Sequence, residues 1–254
     1  MQVKCHTERI IPVRNNLDNY LDLYRDHKQR YEFALNYIKD KKVADIACGV
    51  GYGTYLMAKV AKEVHGFDIS KDALEHAMKN FSSFNNNFYH ADEMSQFTYD
   101  VIVSFETIEH MSEIEGDLFL NRIGKSLVKD GLLIISTPIN KYEKKDHVTP
   151  YHVREYSDEE FPKKLKHNGF EILEMYGQGS KYHQVLFGKS ENSGFSFFNL
   201  MKLKIHKIIP KKIRRSILKK IFYLISSDPY LTPSISKDNW QNKAVQIAVC
   251  RISK

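Results

Sequence analysis

Residues 43–54 read Val43-Ala44-Asp45-Ile46-Ala47-Cys48-Gly49-Val50-Gly51-Tyr52-Gly53-Thr54, and this stretch decides the fold. A short, mostly apolar strand (43–47) runs into a glycine turn, and residues 52–61 beyond the turn carry a helical pattern. Strand, tight turn and helix together start a crossover unit, which belongs to a parallel sheet. A dinucleotide-binding turn needs glycines in the order G-x-G-x-x-G, the third allowing close helix–strand packing. That third position is Thr54 here, so the spacing argues against a nicotinamide or flavin dinucleotide.

Working outward, residues 28–39 form a helix by the spacing of Tyr31, Ala34, Leu35 and Ile38. Strands are expected at 63–69, 88–92, 99–106 and 132–137, with helices at 70–80 (capped by Ser70) and 113–127 between them. A helix over 157–167, a strand over 170–176 and a last strand over 244–252 complete the pattern. Strands alternating with helices imply an α/β fold, a Rossmann-like sheet of seven strands covered on both faces. One domain is expected: an N-terminal cap and helix (1–40), a core (41–176), a helical insertion (177–243) and the last strand (244–252).

The chain has 254 residues with 42% hydrophobic and 27% charged residues, an ordinary globular composition. Three cysteines (Cys5, Cys48, Cys250) do not make a disulfide framework and point to a reducing compartment. Without an apolar leader or a run long enough to span a bilayer, the expected location is the cytoplasm or the inner face of the membrane. The net charge of +7 is local: residues 192–227 hold nine Lys or Arg and no Asp or Glu, leaving the rest slightly acidic.

Two acidic residues stand at successive strand ends beside the glycine turn. Asp68 ends the second strand, where a carboxylate can accept bonds from ribose hydroxyls, and Asp92 ends the third. Taken alone, a strand-end Asp is as well explained as a cap or turn former. In combination the motifs VADIACGVGYG (43–53), VHGFDIS (64–70), HADEM (90–94), DVIVSFETIEHM (100–111) and LVKDGLLIISTP (127–138) resemble the class I S-adenosylmethionine-dependent methyltransferases, in the family's order. The resemblance implies that Asp45, Gly49 and Gly51 hold the methionine moiety, Asp68 the ribose and Asp92 the adenine. By the same resemblance Ala47, Ile69 and Glu93 are expected beside them in the cofactor site. The product of such a cofactor is S-adenosylhomocysteine. Many members carry Gly where Ala47 stands, and one added methyl is expected to be a mild change.

A second constellation follows the fourth strand. Glu106, Glu109 and His110 are spaced i, i+3, i+4, which on a helical turn places them on one face. Two carboxylates and an imidazole suit Mg²⁺ or Mn²⁺; the competing reading is two first-turn carboxylates favoured by the helix dipole and a buried histidine. Downstream, Tyr151-His152-Val153-Arg154-Glu155-Tyr156 precedes a Glu160-Phe161 helix start. E-x-x-E-H followed by H-x-x-E-aromatic resembles the metal-dependent RNA 3′-terminal 2′-O-methyltransferases, and its first part the quinone-biosynthesis O-methyltransferases. By that resemblance Glu106, Glu109, His110 and His152 are metal ligands. An extra histidine of the RNA enzymes would fall on Thr149. Glu109, His110 and His147 are the candidate catalytic residues, His147 as a general base or equally as a solvated loop residue.

Within the insertion, Ile213, Ile217, Ile221 and Leu224 recur at helical spacing after Pro210, with Lys212, Arg215, Lys219 and Lys220 between them. A cap over the active site is the plainest reading. A helix lying on an anionic membrane through residues 200–225 and a phosphate-binding face compete with it. Scattered aromatics give no stacking platform for bases, so nucleic acid is not the expected partner.

The expected activity is O-methylation assisted by a divalent cation, on a small or glycan-linked acceptor. The stretch 132–161 resembles bacterial methyltransferases of capsule and lipopolysaccharide synthesis, which implies a sugar hydroxyl or a phosphate-type oxygen. RNA 2′-O-methylation and quinone or lipid O-methylation at a membrane surface are the alternatives.

Overall fold

The computed structural model describes residues 17–140, 151–179 and 235–253. Thirteen elements follow in order: α1 (Leu17–Ala34), β1 (Lys42–Ile46), α2 (Tyr52–Ala58), β2 (Glu63–Asp68), α3 (Lys71–Phe81), β3 (Asn86–His90), β4 (Tyr99–Phe105), α4 (Glu113–Ser126), β5 (Leu127–Pro138), α5 (Glu160–His167), β6 (Phe170–Gln178), β7 (Ile235–Ser236) and β8 (Val245–Ile252). The sheet order is β3-β2-β1-β4-β5-β8-β6-β7. β1 to β5 run parallel to one another, while β8 is antiparallel to both β5 and β6.

This is the expected Rossmann-like α/β sheet with one strand more than the seven expected. The extra strand, β7, is two residues long and pairs with the end of β6 at Gly177 and Gln178. It falls inside the stretch assigned to the insertion. Residues 180–234, including the basic segment 200–225, lie outside the described residues.

Alternation along each strand sorts the apolar residues onto two faces. Val43, Val101, Val103 and Ile134 point to a core shared with α1 and α2. Ala44, Ile102, Leu133 and Ile135 point to the other, with Leu120 and Ile123 of α4 and Phe161 and Leu165 of α5.

Several boundaries moved for identifiable reasons. The first helix begins at Leu17, not at 28, because Tyr20, Leu21 and Tyr24 continue the apolar spacing upstream. α2 stops at Ala58, three residues early, where Asn85 Nδ2 donates to the carbonyls of Ala58 (2.8 Å) and Ala61 (3.1 Å). β3 ends at His90 rather than Asp92, because Glu93 reaches back to the His90 amide (3.0 Å) and starts a 3₁₀ turn, Ala91–Gln96. α5 begins at Glu160 rather than 157, and Ser157 and Glu160 exchange two side-chain–backbone bonds (2.9 and 3.1 Å) across the turn ahead of it. Ser70 caps α3 as expected.

The strand order reverses at β1, whose neighbours are β2 on one side and β4 on the other. Ligands of open α/β sheets bind outside the carboxyl ends of strands at such a switch point. The glycine turn after β1 and the Glu106–His110 segment after β4 flank that crevice.

Candidate active site

The glycine turn is shaped from both sides. A Cβ on Gly51 would stand 2.6 Å from the Ala77 Cβ and 2.9 Å from the Phe88 ring, so α3 and β3 pack directly against its backbone. Gly49, also left-handed (φ +56°), is the reverse case: a Cβ there would meet nothing within 4 Å. Its amide donates to Asp68 Oδ2 (2.9 Å), while Asp68 Oδ1 accepts from the Ser70 amide (2.8 Å). Asp68 thus ties the end of β2 to the turn. Ala47 occupies a left-handed conformation as well (φ +61°). The glycine that many relatives of this pattern carry there is explained by backbone freedom, so the added methyl carries more strain than the sequence alone suggests.

Asp45 is buried and accepts bonds from the Thr54 hydroxyl (2.6 Å) and the Tyr31 hydroxyl (3.2 Å). Burial pushes its carboxyl up to about 7 against those two bonds, with the Asp68 charge adding to the rise. Ile69, just past β2, leaves its side chain 79% exposed at the carboxyl edge. Asp92 is exposed and faces His90 Nδ1 at 3.2 Å. Glu93 is engaged in the turn cap.

Arg30 on α1 escaped the sequence reading. Its side chain is 2% exposed, its Nη1 donates to Gln178 Oε1, and its Nε has no partner. Among the described residues no carboxylate lies within ion-pair distance of it. The buried Tyr52 hydroxyl beside the glycine turn is also unpartnered, and its ring packs against Tyr31 (centroids 5.7 Å apart). A buried guanidinium with no carboxylate in contact, only the Glu109 charge acting from a distance, is costly and leaves room for an anion. The signal was available: an arginine one residue before Tyr31, at the edge of that helix's apolar stripe.

After β4 the chain does not form the continuous helical turn expected for Glu106, Glu109 and His110. Glu106 is left-handed (φ +52°), and the 3₁₀ turn spans Ile108–His110 alone. The i, i+3, i+4 geometry is therefore broken at its first member. Ser136 Oγ donates to Glu106 Oε1 (2.7 Å), holding that carboxylate on β5. Glu109, His110 and His152 do come together: one ligand atom from each lies within 4.8 Å of the others. Glu109 is fully buried; Oε2 accepts from Thr137 Oγ1 (3.0 Å) and Oε1 has no partner. Burial, and then the charge of Glu106, raise its carboxyl well above the usual range. The imidazoles of His110 and His152 meet edge to face, centroids 5.3 Å apart.

The loop that brings His152 is stitched to this turn by its backbone. The amides of Val153 and Arg154 donate to the Glu109 carbonyl (2.8 and 3.0 Å), and His110 Nδ1 pairs with the Tyr151 carbonyl (3.0 Å). His147 lies outside the described residues.

An S-adenosylmethionine molecule fits this crevice by its chemistry. Open space over Gly49 would leave room for it, the Asp45 carboxylate would suit its ammonium, and the unpartnered Arg30 Nε would suit its carboxylate. Glu109, with Oε1 unpartnered and one carboxylate oxygen within 4.8 Å of nitrogens of both imidazoles, equally fits a cation's donor set.

Comparison with known proteins agrees with this architecture. A probable S-adenosylmethionine-dependent methyltransferase of Mycolicibacterium smegmatis is 28% identical over 175 residues, covering 67% of this chain and 66% of that relative. The chain therefore spans slightly less than two thirds of that relative. The ubiquinone biosynthesis O-methyltransferase of Pelagibacter ubique is 32% identical over 109 residues, 41% of this chain and 44% of the relative. In fold, the chain resembles the magnesium protoporphyrin IX methyltransferase of Synechocystis, solved with bound S-adenosylhomocysteine (TM-score 0.53, 20% identity, 67% of this chain and 84% of that one). With the model of the methyltransferase domain family matching residues 19–175, well over half of the chain, the protein belongs to that family.

Proposed function

We propose that this enzyme moves the methyl group of S-adenosylmethionine to an oxygen of a small or glycan-linked acceptor, with a divalent cation at Glu109, His110 and His152. The observation that carries the metal reading is Glu109 Oε1, fully buried without a partner beside two imidazoles. One carboxylate and two imidazoles form a donor set better matched to Mn²⁺ or a neighbouring transition ion than to Mg²⁺, which prefers oxygen throughout.

When bound, the cofactor supplies a methyl group already activated by its sulfonium charge. The cation, when bound, acts as a Lewis acid that lowers the pKa of a coordinated hydroxyl. The chain supplies placement and charge. Arg30 would hold the cofactor's carboxylate through Nε, and Asp45 would receive its ammonium. Asp68 keeps the glycine turn against the end of β2. Glu106, outside the three-residue group and anchored by Ser136 through Oε1, receives the acceptor's proton on Oε2. Orientation of two bound reactants in one crevice does much of the rest.

The acceptor proposed first is a sugar hydroxyl or phosphate-type oxygen of a surface-polysaccharide precursor. It rests on the likeness of 132–161 alone. A catechol-type hydroxyl of a quinone precursor is the second reading, favoured by the stretch shared with the ubiquinone O-methyltransferases. Both are chelating acceptors. No helix among the described residues is long and apolar enough to cross a membrane.

Calorimetric titration of Mn²⁺ into protein saturated with S-adenosylhomocysteine tests the metal reading, comparing wild type with His110→Ala. One-to-one binding lost in the variant is expected. Absence of binding to wild type removes the cation from the mechanism.

A further inference from the structure

We infer that Glu155 is a positioning residue for the proposed cation site. Its carboxylate holds His152 as the Nδ1–H tautomer, so that the lone pair sits on Nε2. The inference rests on the metal reading above.

His152 Nδ1 and Glu155 Oε1 are 2.7 Å apart, and their side chains are 11% and 7% exposed. A buried carboxylate requires a hydrogen-bonding partner. The nearest cation in sequence is Arg154, yet its guanidinium turns away to Glu113 and Glu160. Among the described residues, Glu155 is paired with His152. Charge balance on this loop is thus met elsewhere, and the Glu155 carboxylate is spent on the direction of one imidazole.

The platform beneath that pair is fixed at both ends. On one side, the Val153 and Arg154 amides bind the Glu109 carbonyl. On the other, the Tyr156 carbonyl accepts from the Asn140 amide (2.9 Å) and from Gln246 Nε2 (3.2 Å), with the Tyr156 ring fully buried against Phe161. The H-x-x-E-aromatic run therefore divides its labour: the aromatic residue anchors the loop, Glu155 orients, and His152 presents a nitrogen. His110 has the same arrangement by other means, since its Nδ1 meets the Tyr151 carbonyl. Both imidazoles consequently have Nδ1 committed to a protein acceptor. A histidine whose distal N–H is held this way is more basic at its other nitrogen and better ordered, and loss of the holding group weakens metal binding about 10- to 100-fold.

Two readouts test this. Long-range ¹H–¹⁵N spectra of the metal-free full-length protein, with ¹⁵N-histidine, report the His152 tautomer at pH 8. Wild type is expected to show Nδ1 protonated and Nε2 bare, with Glu155→Ala releasing the ring to a mixture. A wild-type ring protonated on both nitrogens would mean an ordinary buried ion pair and overturn the inference. In the Mn²⁺ titration, Glu155→Ala is expected to bind about 10- to 100-fold more weakly than wild type. Glu155→Gln, whose amide oxygen still accepts from Nδ1–H, should lose less, and it serves should the alanine variant not fold. Variants binding as tightly as wild type would sink the positioning role and leave the metal reading standing. A wild type that binds no Mn²⁺ overturns both.

Discussion

The two ends of the sheet bury polar groups in opposite ways. At the amino end, His65 on β2 is closed on both sides, with Nδ1 at 2.9 Å from the Tyr99 hydroxyl and Nε2 at 2.8 Å from Glu63. Phe67, Tyr89, Phe97 and Tyr99 surround the ring, and Lys42 lies over Phe97 and Tyr99. At the carboxyl end, Arg30 Nε, the Tyr52 hydroxyl and Glu109 Oε1 are buried without partners, and Ala47 and Glu106 are bent into left-handed backbone. One end is satisfied within the protein; the other is completed by what binds there. Unsatisfied polarity concentrated at one edge is what a ligand site costs a fold.

The largest effect that would break or sharpen this contrast concerns Glu106. Glu106→Gln should lower kcat by about 10²- to 10⁴-fold, with Mn²⁺ affinity kept. A parallel loss of Mn²⁺ binding would return Glu106 to the ligand set that the sequence motif implied.

Arg30→Met comes next. Losing a charge-assisted bond should weaken S-adenosylhomocysteine binding about 10- to 100-fold, while the ligand-free melting temperature holds or rises because a lone buried charge is gone. A fall in melting temperature with unchanged affinity would make Arg30 a structural residue.

The two ends should also respond oppositely to pH. The Asp45 carboxyl is raised by burial to about 7, so folding favours its protonated form. Its stability contribution is complete below the unfolded value near 4 and is lost as pH climbs through 7. Asp45→Asn should therefore melt several degrees above wild type at pH 8 and close to it at pH 4. His65, lowered by burial against the pull of Glu63, works the other way, losing stability as pH falls below its ordinary 6.5.

The smallest effect belongs to the satisfied end. Tyr99→Phe should cost about 1–2 kcal/mol of folding stability in denaturant titrations, with S-adenosylhomocysteine affinity unchanged. Coupled losses of stability and affinity would erase the division between the ends.

Most of the scaffold could be read from residues because its signals are local. Alternating strand and helix periods, the Ser70 cap and the glycine turn each depend on a few adjacent side chains. The expectations that moved depend on distant partners. Glu106 left its helical turn because Ser136, thirty positions on, holds its carboxylate. Asp92 slipped off the strand end because Glu93 folds back on His90. Arg30 looks like any helix arginine until Gln178 and the missing carboxylate are seen around it. Nor does any local pattern tell that β8 runs antiparallel between β5 and β6, since that pairing is between segments far apart in the chain.

That last strand also sets a clock on synthesis. Among the described residues β6 joins the main sheet through β8, and 66 residues separate Gln178 from Val245. At about 5–20 residues per second a ribosome takes on the order of 3 to 13 s to cross that gap. For that time β5 leaves the ribosome with a bare, apolar edge, and β6 waits beside it unattached. The newborn chain is therefore most open to mispairing and to chaperones when β1 to β5 have already been made.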